Sequence, residues 1–282
     1  MTLQMFDGGS MKKIELNELK QIEVDILTYV HEVCEAEKLR YSLSAGTLLG
    51  AVRHKGFIPW DDDVDIMMPR PDYDKLLVYF KTHKTPYRFV SIETSSDYGY
   101  LFAKIEDPHT VIIEKNVEVK KVPRGIYIDI FPLDGLADTR EEAEKEFKSS
   151  MFYRHLLVAK EWRRYFRSKT HSIVYEPIRL GFFLLSRFVS RKKLIAKLDK
   201  KFRRNSFEEC TYSACVFGSE NPYKIMESDA FKEYVTLEFE GQQFKAIARY
   251  DEFLSRLYGD YMQLPPKKHR VTHHTFDAFH KA

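Results

Sequence analysis

Apolar positions first recur in the chain at helical spacing. Leu19, Ile22, Ile26, Val30 and Val33 lie three and four residues apart, which predicts an amphipathic helix over about 17–38. Residues 41–45 read as a short strand, Gly46-Thr47 as a tight strand-to-helix turn, 48–53 as one or two helical turns, and 55–60 as a loop holding Gly56 and Pro59. The period then changes to two. In Asp63-Val64-Asp65-Ile66, followed by Met68, alternation predicts a strand with Val64, Ile66 and Met68 toward the core and both carboxylates on the opposite face. Pro71 at a first helical position and Asp72 in the first turn open a helix through about Phe80.

Strand-like runs follow at 88–93, 100–106, 110–114 and 125–131, the last closed by a turn at Pro132-Leu133-Asp134-Gly135. Helical pattern dominates 139–167 and 172–204. A short strand at 214–217, a hairpin over 235–245 turning near Gly241, a helix at 250–258 and a basic, His-rich tail complete the chain. No internal repeat is visible. The division expected is a catalytic core over 1–137 and a mostly helical accessory region over 138–282, with a soft boundary that is also compatible with one integrated domain.

Composition narrows the class. With 282 residues, 44% hydrophobic and 31% charged, the chain is long enough for a sizeable core and is not of a disordered composition. Its net charge of +3 leaves only local basic character to matter. Cys34, Cys210 and Cys215 form no CxxC motif, which points to reduced thiols in a cytosolic setting and away from structural zinc. The first ten residues lack the pattern of a signal peptide and read as a leader ahead of a natural start at Met11. The longest apolar run, Leu180–Val189, is far shorter than the ~20 residues of a membrane span.

The candidate chemistry lies in the carboxylates. Asp61-Asp62-Asp63 alone reads as a solvated acidic loop, but it runs into a strand that presents Asp63 and Asp65 together. Two carboxylates on one face repel unless a cation lies between them. Asp129, flanked by Ile128 and Ile130, is a third acid at mid-strand, costly there unless paired or metal-bound. Three carboxylates suit Mg²⁺ or Mn²⁺, and the spacing excludes an EF-hand. Gly46-Thr47 is either a helix cap or a phosphate-holding turn. Arg53, His54 and Lys55 form a basic bend in which Arg53 is placed to clamp a phosphate. Lys104 is a second phosphate candidate, although a lysine snorkelling to the surface is the plainer reading. From Arg154 to Arg204 basic residues interleave with aromatic and aliphatic ones, as on a lipid-interface helix or on a helix solvated on one side. No nucleic-acid-binding motif accompanies them. His273-His274 has no partner motif for a metal.

The run GTLLGAVRHKGFIPWDDDVDIMM, with Asp72-Tyr73, IDIFPLDG and YGDYMQLPP, resembles the LicD family of bacterial phosphocholine transferases, whose fold is shared by fukutin-type phosphoribitol transferases. The resemblance spans about Lys20 to His274 and is weakest over 141–233. It implies an α+β fold: a nucleotidyltransferase-like mixed sheet flanked by helices, with a helical extension in the C-terminal half. It also implies transfer of phosphocholine from CDP-choline to a sugar hydroxyl of a teichoic acid or lipopolysaccharide precursor, releasing CMP. Asp63 and Asp65 match the family's D-x-D pair, Asp129 its third carboxylate, Gly46-Thr47 its phosphate turn, and Asp61 and Asp62 its DDD run. The expected metal ligands are thus Asp63, Asp65 and Asp129; the donor-phosphate ligands are Gly46, Thr47, Arg53 and Lys104; the supporting residues are His54, Trp60, Asp61 and Asp62. A lipid-linked acceptor implies a cytoplasmic enzyme, peripheral on the inner membrane face. Transfer of phosphoethanolamine or phosphoribitol, true nucleotidyl transfer releasing pyrophosphate, and a non-catalytic glycan- or lipid-binding protein stay open. For choline recognition by an aromatic cage, Trp60, Tyr73, Tyr98 and Tyr100 are equal candidates.

Overall fold

The computed structural model describes residues 11–95, 97–115, 124–168, 172–216, 225–272 and 276–281. The leader-like residues 1–10 and the His273-His274 pair lie outside them.

Helix α1 (Leu16–Ala36) buries Leu19, Val24, Ile26, Leu27, Val30 and Val33, as its period predicts. The main sheet is mixed, with strand order β2 (Ser42–Leu43), β3 (Asp65–Pro69), β7 (Tyr127–Ala137), β5 (Ala103–Glu106) and β4 (Arg88–Val90). Within it β3 and β7 run parallel, while β5 is antiparallel to β7. Helices α2 (Ala45–His54) and α3 (Arg70–Thr82) flank β3 in sequence, and the apolar sides of α1, α2, α3, β3, β5 and β7 share one core. The hairpin β10 (Tyr234–Phe239) and β11 (Gln242–Ile247) and the helix α8 (Tyr250–Tyr258) add Phe239, Phe244, Ile247, Phe253 and Leu254 to that core. Their turn has Glu240 at φ +50° and Gly241 at φ +75°, the double left-handed geometry that two-residue hairpins require.

The expected turn at 132–135 is instead strand. β7 runs unbroken to Ala137, pairing with β3 through Leu133 and with β8 (Tyr212–Ala214) from Asp134. Pro132 is tolerated because β5 leaves the ladder at Ile130 and β8 joins only at Asp134. Arg70 secures this stretch. Its Nε and Nη2 donate to Asp134 Oδ1 and Oδ2 at 2.7 and 2.8 Å, with both side chains buried.

The long helical region divides into α4 (Arg140–Ser149), α5 (Met151–Glu161), α6 (Glu176–Phe188) and α7 (Arg191–Phe202). Ala143, Phe147, Leu156, Leu157, Leu194, Leu198 and Phe202 form a second apolar cluster there, closed by Leu136 of β7 and Ala214 of β8. The expected basic strip is not one surface. Arg154 is buried and donates to the Val216 carbonyl, and Arg203 is tied to Asp74, Glu93 and Asp199. A strand the periodicity does not announce, β12 (Phe276–His280), lies between β1 (Lys13–Ile14) and β6 (Thr110–Glu114) in a separate antiparallel sheet. No described helix is long and apolar enough to cross a membrane.

Candidate active site

Two cavities draw lining residues from the main sheet, one from β3 and the other from β5 and β7. The first, about 390 Å³, is lined by Gly46, Arg53, Trp60, Asp61, Asp63 and Asp65 on one wall and by Tyr258, Asp260, Tyr261 and Gln263 on the other. The stretch 44–65 therefore meets the segment after α8, a wall that periodicity alone does not reveal. Arg53 joins the two, donating from Nη1 to the Tyr261 carbonyl at 2.7 Å and from Nε to His54 Nε2 at 2.9 Å. Burial, then the Arg53 charge, lowers the His54 pKa below the ordinary imidazole range. Arg270 stacks 5.5 Å from the Trp60 ring, and Thr272 donates to Asp62 Oδ1 at 2.9 Å.

Gly46 and Thr47 lie in the first turn of α2, not in a turn before it. A Cβ at Gly46 would stand 2.6 Å from Asp61 Oδ2, so glycine is required for that carboxylate to approach the backbone. Thr47 Oγ1 accepts the Asp65 backbone N–H at 2.8 Å, so the hydroxyl anchors the start of β3 to the helix. Ala45, just before them, has φ +44°, an unfavourable backbone state of the kind that clusters at binding sites.

Asp65 is in register with Asp129, and Asp129 with Lys104, so the three side chains form a row on one sheet face. Lys104 is buried rather than snorkelling, and its Nζ donates to Asp129 Oδ1 at 2.5 Å. The sequence-expected phosphate ligand is thus the ion-pair partner of the third carboxylate. It lines the second cavity instead of the cleft with Gly46 and Arg53. That cavity, about 330 Å³, is walled by Tyr98, Tyr100 and Tyr127 with Glu114, Arg124, Glu161 and Arg191. Its ring faces already meet cations: Lys104 Nζ lies 3.4 Å from the Tyr127 centroid and the Arg124 guanidinium 5.0 Å from that of Tyr98. Of the other cage candidates, Tyr73 is packed against Phe89 and Arg70 in the core, and Trp60 lines the acidic cleft.

The field of the carboxylates is felt by their neighbours. The Tyr258 hydroxyl is raised by burial and then by Asp65, Asp61 and Asp63. Glu23 of α1 is fully buried, and its Oε2 has no hydrogen-bond partner. Its carboxyl is held well above the usual range by burial and then by Asp63, Asp62 and Asp129. This acid was not flagged by the sequence, since it occupies an interior position of the α1 stripe with no motif around it. An all-carboxylate donor set and an orphaned buried carboxyl fit a hard divalent cation. As the side chains stand, no group of three or more His, Cys, Asp or Glu among the described residues is gathered closely enough to hold a metal. The expected trio is not gathered, and Asp129 is paired with Lys104.

A raised carboxyl has a defined pH signature. The native state keeps a proton that the unfolded chain releases, so Glu23 weakens folding as pH rises from its unfolded pKa toward its folded one. In metal-free buffer, Glu23→Gln is expected to melt a few degrees above the parent at about pH 8 and level with it near pH 4, since each 1 kcal/mol moves Tm by about 2–4 °C. Equal melting at both pH values would remove the buried-acid assignment.

Known proteins place this sequence in a lineage. A family model described as "LicD/FKTN/FKRP, nucleotidyltransferase domain" matches residues 38–166. The lipopolysaccharide cholinephosphotransferase LicD of Haemophilus influenzae is 33% identical over 281 residues, covering 95% of this chain and 99% of that protein. The human ribitol 5-phosphate transferase FKRP is 58% identical over 38 residues, 14% of this chain and 8% of its own. An uncharacterized protein of Rickettsia typhi is 36% identical over 77 residues, 26% of this chain and 25% of that protein.

Proposed function

The chain belongs to the LicD family and is a phosphotransferase, and from that premise we propose that it moves phosphocholine from CDP-choline to a sugar hydroxyl of a cell-surface glycan precursor. The observation carrying this reading is the row Asp65–Asp129–Lys104, whose first member lines a carboxylate cleft and whose last lines a tyrosine-walled cavity. In the reaction the acceptor oxygen bonds to the choline-bearing phosphorus, the bond to the CMP oxygen breaks, and CMP departs with the electron pair.

Asp63 and Asp65 would hold Mg²⁺ or Mn²⁺, which when bound screens the charge of the donor pyrophosphate. Arg53, fixed by its bond to the Tyr261 carbonyl, faces the cleft as a cation for a donor phosphate. Thr47 and Gly46 support the site from behind: one holds the Asp65 backbone, the other leaves room for Asp61. Asp129, the ion-pair partner of Lys104, either joins the metal or takes the proton of the acceptor hydroxyl. The tyrosine rings, which already meet Lys104 and Arg124, would take a trimethylammonium group in the space they wall together with Glu114 and Glu161. The acceptor in this reading is a lipid-linked teichoic acid or lipopolysaccharide chain, met on the cytoplasmic face of the membrane.

The test is a panel of CDP-choline, CDP-ethanolamine and CDP-ribitol with Mg²⁺ and membrane glycolipid, scored for CMP and for pyrophosphate. CDP-choline is expected to react fastest with CMP released, and Tyr100→Leu to raise its KM roughly 10-fold more than that of CDP-ribitol. Pyrophosphate release would replace the reading with nucleotidyl transfer. Preference for CDP-ribitol would favour the second reading, phosphoribitol transfer, to which the match with FKRP lends support.

A further inference from the structure

Helix α6 is built inside out for a helix in water. At 100° per residue, Pro177, Ile178, Leu180, Gly181, Leu184, Leu185 and Phe188 occupy one continuous arc of roughly 160°. Its five large side chains are all exposed, Phe188 to 90%. No polar residue interrupts that arc. The helix's polar side chains face inward instead. Arg187 donates to the Ala159 and Trp162 carbonyls at 2.7 and 3.1 Å, Arg179 pairs with Glu176 at 3.5 Å and lies over Trp162, and Ser186 is fully buried. The preceding turn extends the surface with Ile173, Val174 and Tyr175, all exposed. A water-facing helix shows the opposite arrangement, and an apolar patch of this extent marks a docking surface.

Charge decides what docks. Glu176 is the sole acid between Trp162 and Leu198, and it is turned inward against Tyr165. At one end of the apolar arc stand exposed Arg163, Arg164 and Arg167, and at the other exposed Lys192, Lys193 and Lys197. We propose that this face is a membrane-seating element: α6 lies in the plane of an anionic lipid surface, its apolar arc in the acyl boundary and the cations at phosphate level. At 13 residues, roughly 20 Å long, it cannot span the ~30 Å hydrocarbon layer. A second copy of the chain docked face to face would bring like charges together, which favours lipid over self-association. The assignment does not depend on the reaction proposed above, because vesicle binding is read without turnover.

The experiment is flotation with vesicles of phosphatidylglycerol and phosphatidylethanolamine, against vesicles of phosphatidylcholine alone, at low and high salt. The parent protein is expected to float with the anionic vesicles at low salt and to be released by high salt. Leu184→Glu with Phe188→Glu should lose vesicle binding at least about 10-fold, and Lys192→Gln with Lys193→Gln should lose a similar factor together with much of the salt dependence. Each altered side chain is exposed, so both variants should keep the parent Tm within about 2 °C. Failure of the parent to bind anionic vesicles, or binding by the double-glutamate variant at the parent level, overturns the proposal. So does a parent dimer in sedimentation velocity that the double-glutamate variant dissolves.

Discussion

Asp65→Asn is expected to lower turnover on the order of 10³-fold while leaving the fold intact. The side chain lines the acidic cleft beside Asp63, and the backbone N–H of the residue is held by Thr47 Oγ1 at 2.8 Å. Asparagine keeps that backbone bond and the side-chain volume and removes only the charge. Asp63→Asn should behave alike, since Asp63 lies in the same cleft and precedes the strand. CMP release at saturating donor reads the loss, and circular dichroism with a thermal melt reads the fold. Either variant retaining turnover within a few-fold of the parent would refute the metal-holding role of that carboxylate. A collapse of the melt would instead assign the residue to stability.

The second large effect is on stability and lies away from the cleft. Arg70→Met is expected to destabilise the protein by about 3–5 kcal/mol, because it leaves the Asp134 carboxylate buried without its cation. The cost follows from removing one partner only. Arg70→Met with Asp134→Leu should recover most of the loss, as paired replacement of buried ions by apolar groups does elsewhere. Urea unfolding of parent, single and double variants measures this directly. A single variant within about 1 kcal/mol of the parent, or a double variant no better than the single, would show that the pair does not hold β7 to α3.

How legible each feature was depends on the range of the interaction behind it. The α1 stripe and the hairpin at Gly241 rest on local periodicity and turn chemistry and appear in the fold as expected. The alternating stretch keeps Val64 and Ile66 buried but becomes strand only from Asp65, leaving Asp63 just before it. Pro132-Leu133-Asp134-Gly135 misled because its residues are turn formers, whereas its strand conformation comes from β3, β8 and an arginine 64 residues away. Lys104 could not be read as buried from its own segment, since its counter-charge is 25 residues distant and reaches it through the β5–β7 register. The D-x-D stretch was conspicuous by pattern and by family resemblance. Tyr258 and Asp260 gained meaning only once α8 folded back against that stretch, and Glu23 only through what surrounds it.

The separate sheet β1–β12–β6 has a consequence for the order in which the molecule is made. β6 is synthesised at residues 110–114, yet its neighbour β12 is synthesised at 276–280, and β1 at 13–14 waits as long for the same partner. The cluster of Ile14, Leu19, Ile112, Ile126 and Ala278 cannot close until Ala278 has left the ribosome. Until residues 276–280 are made, β6 is therefore an open edge of the kind that pairs with other chains. Strand β12 is the latch that ends that exposure.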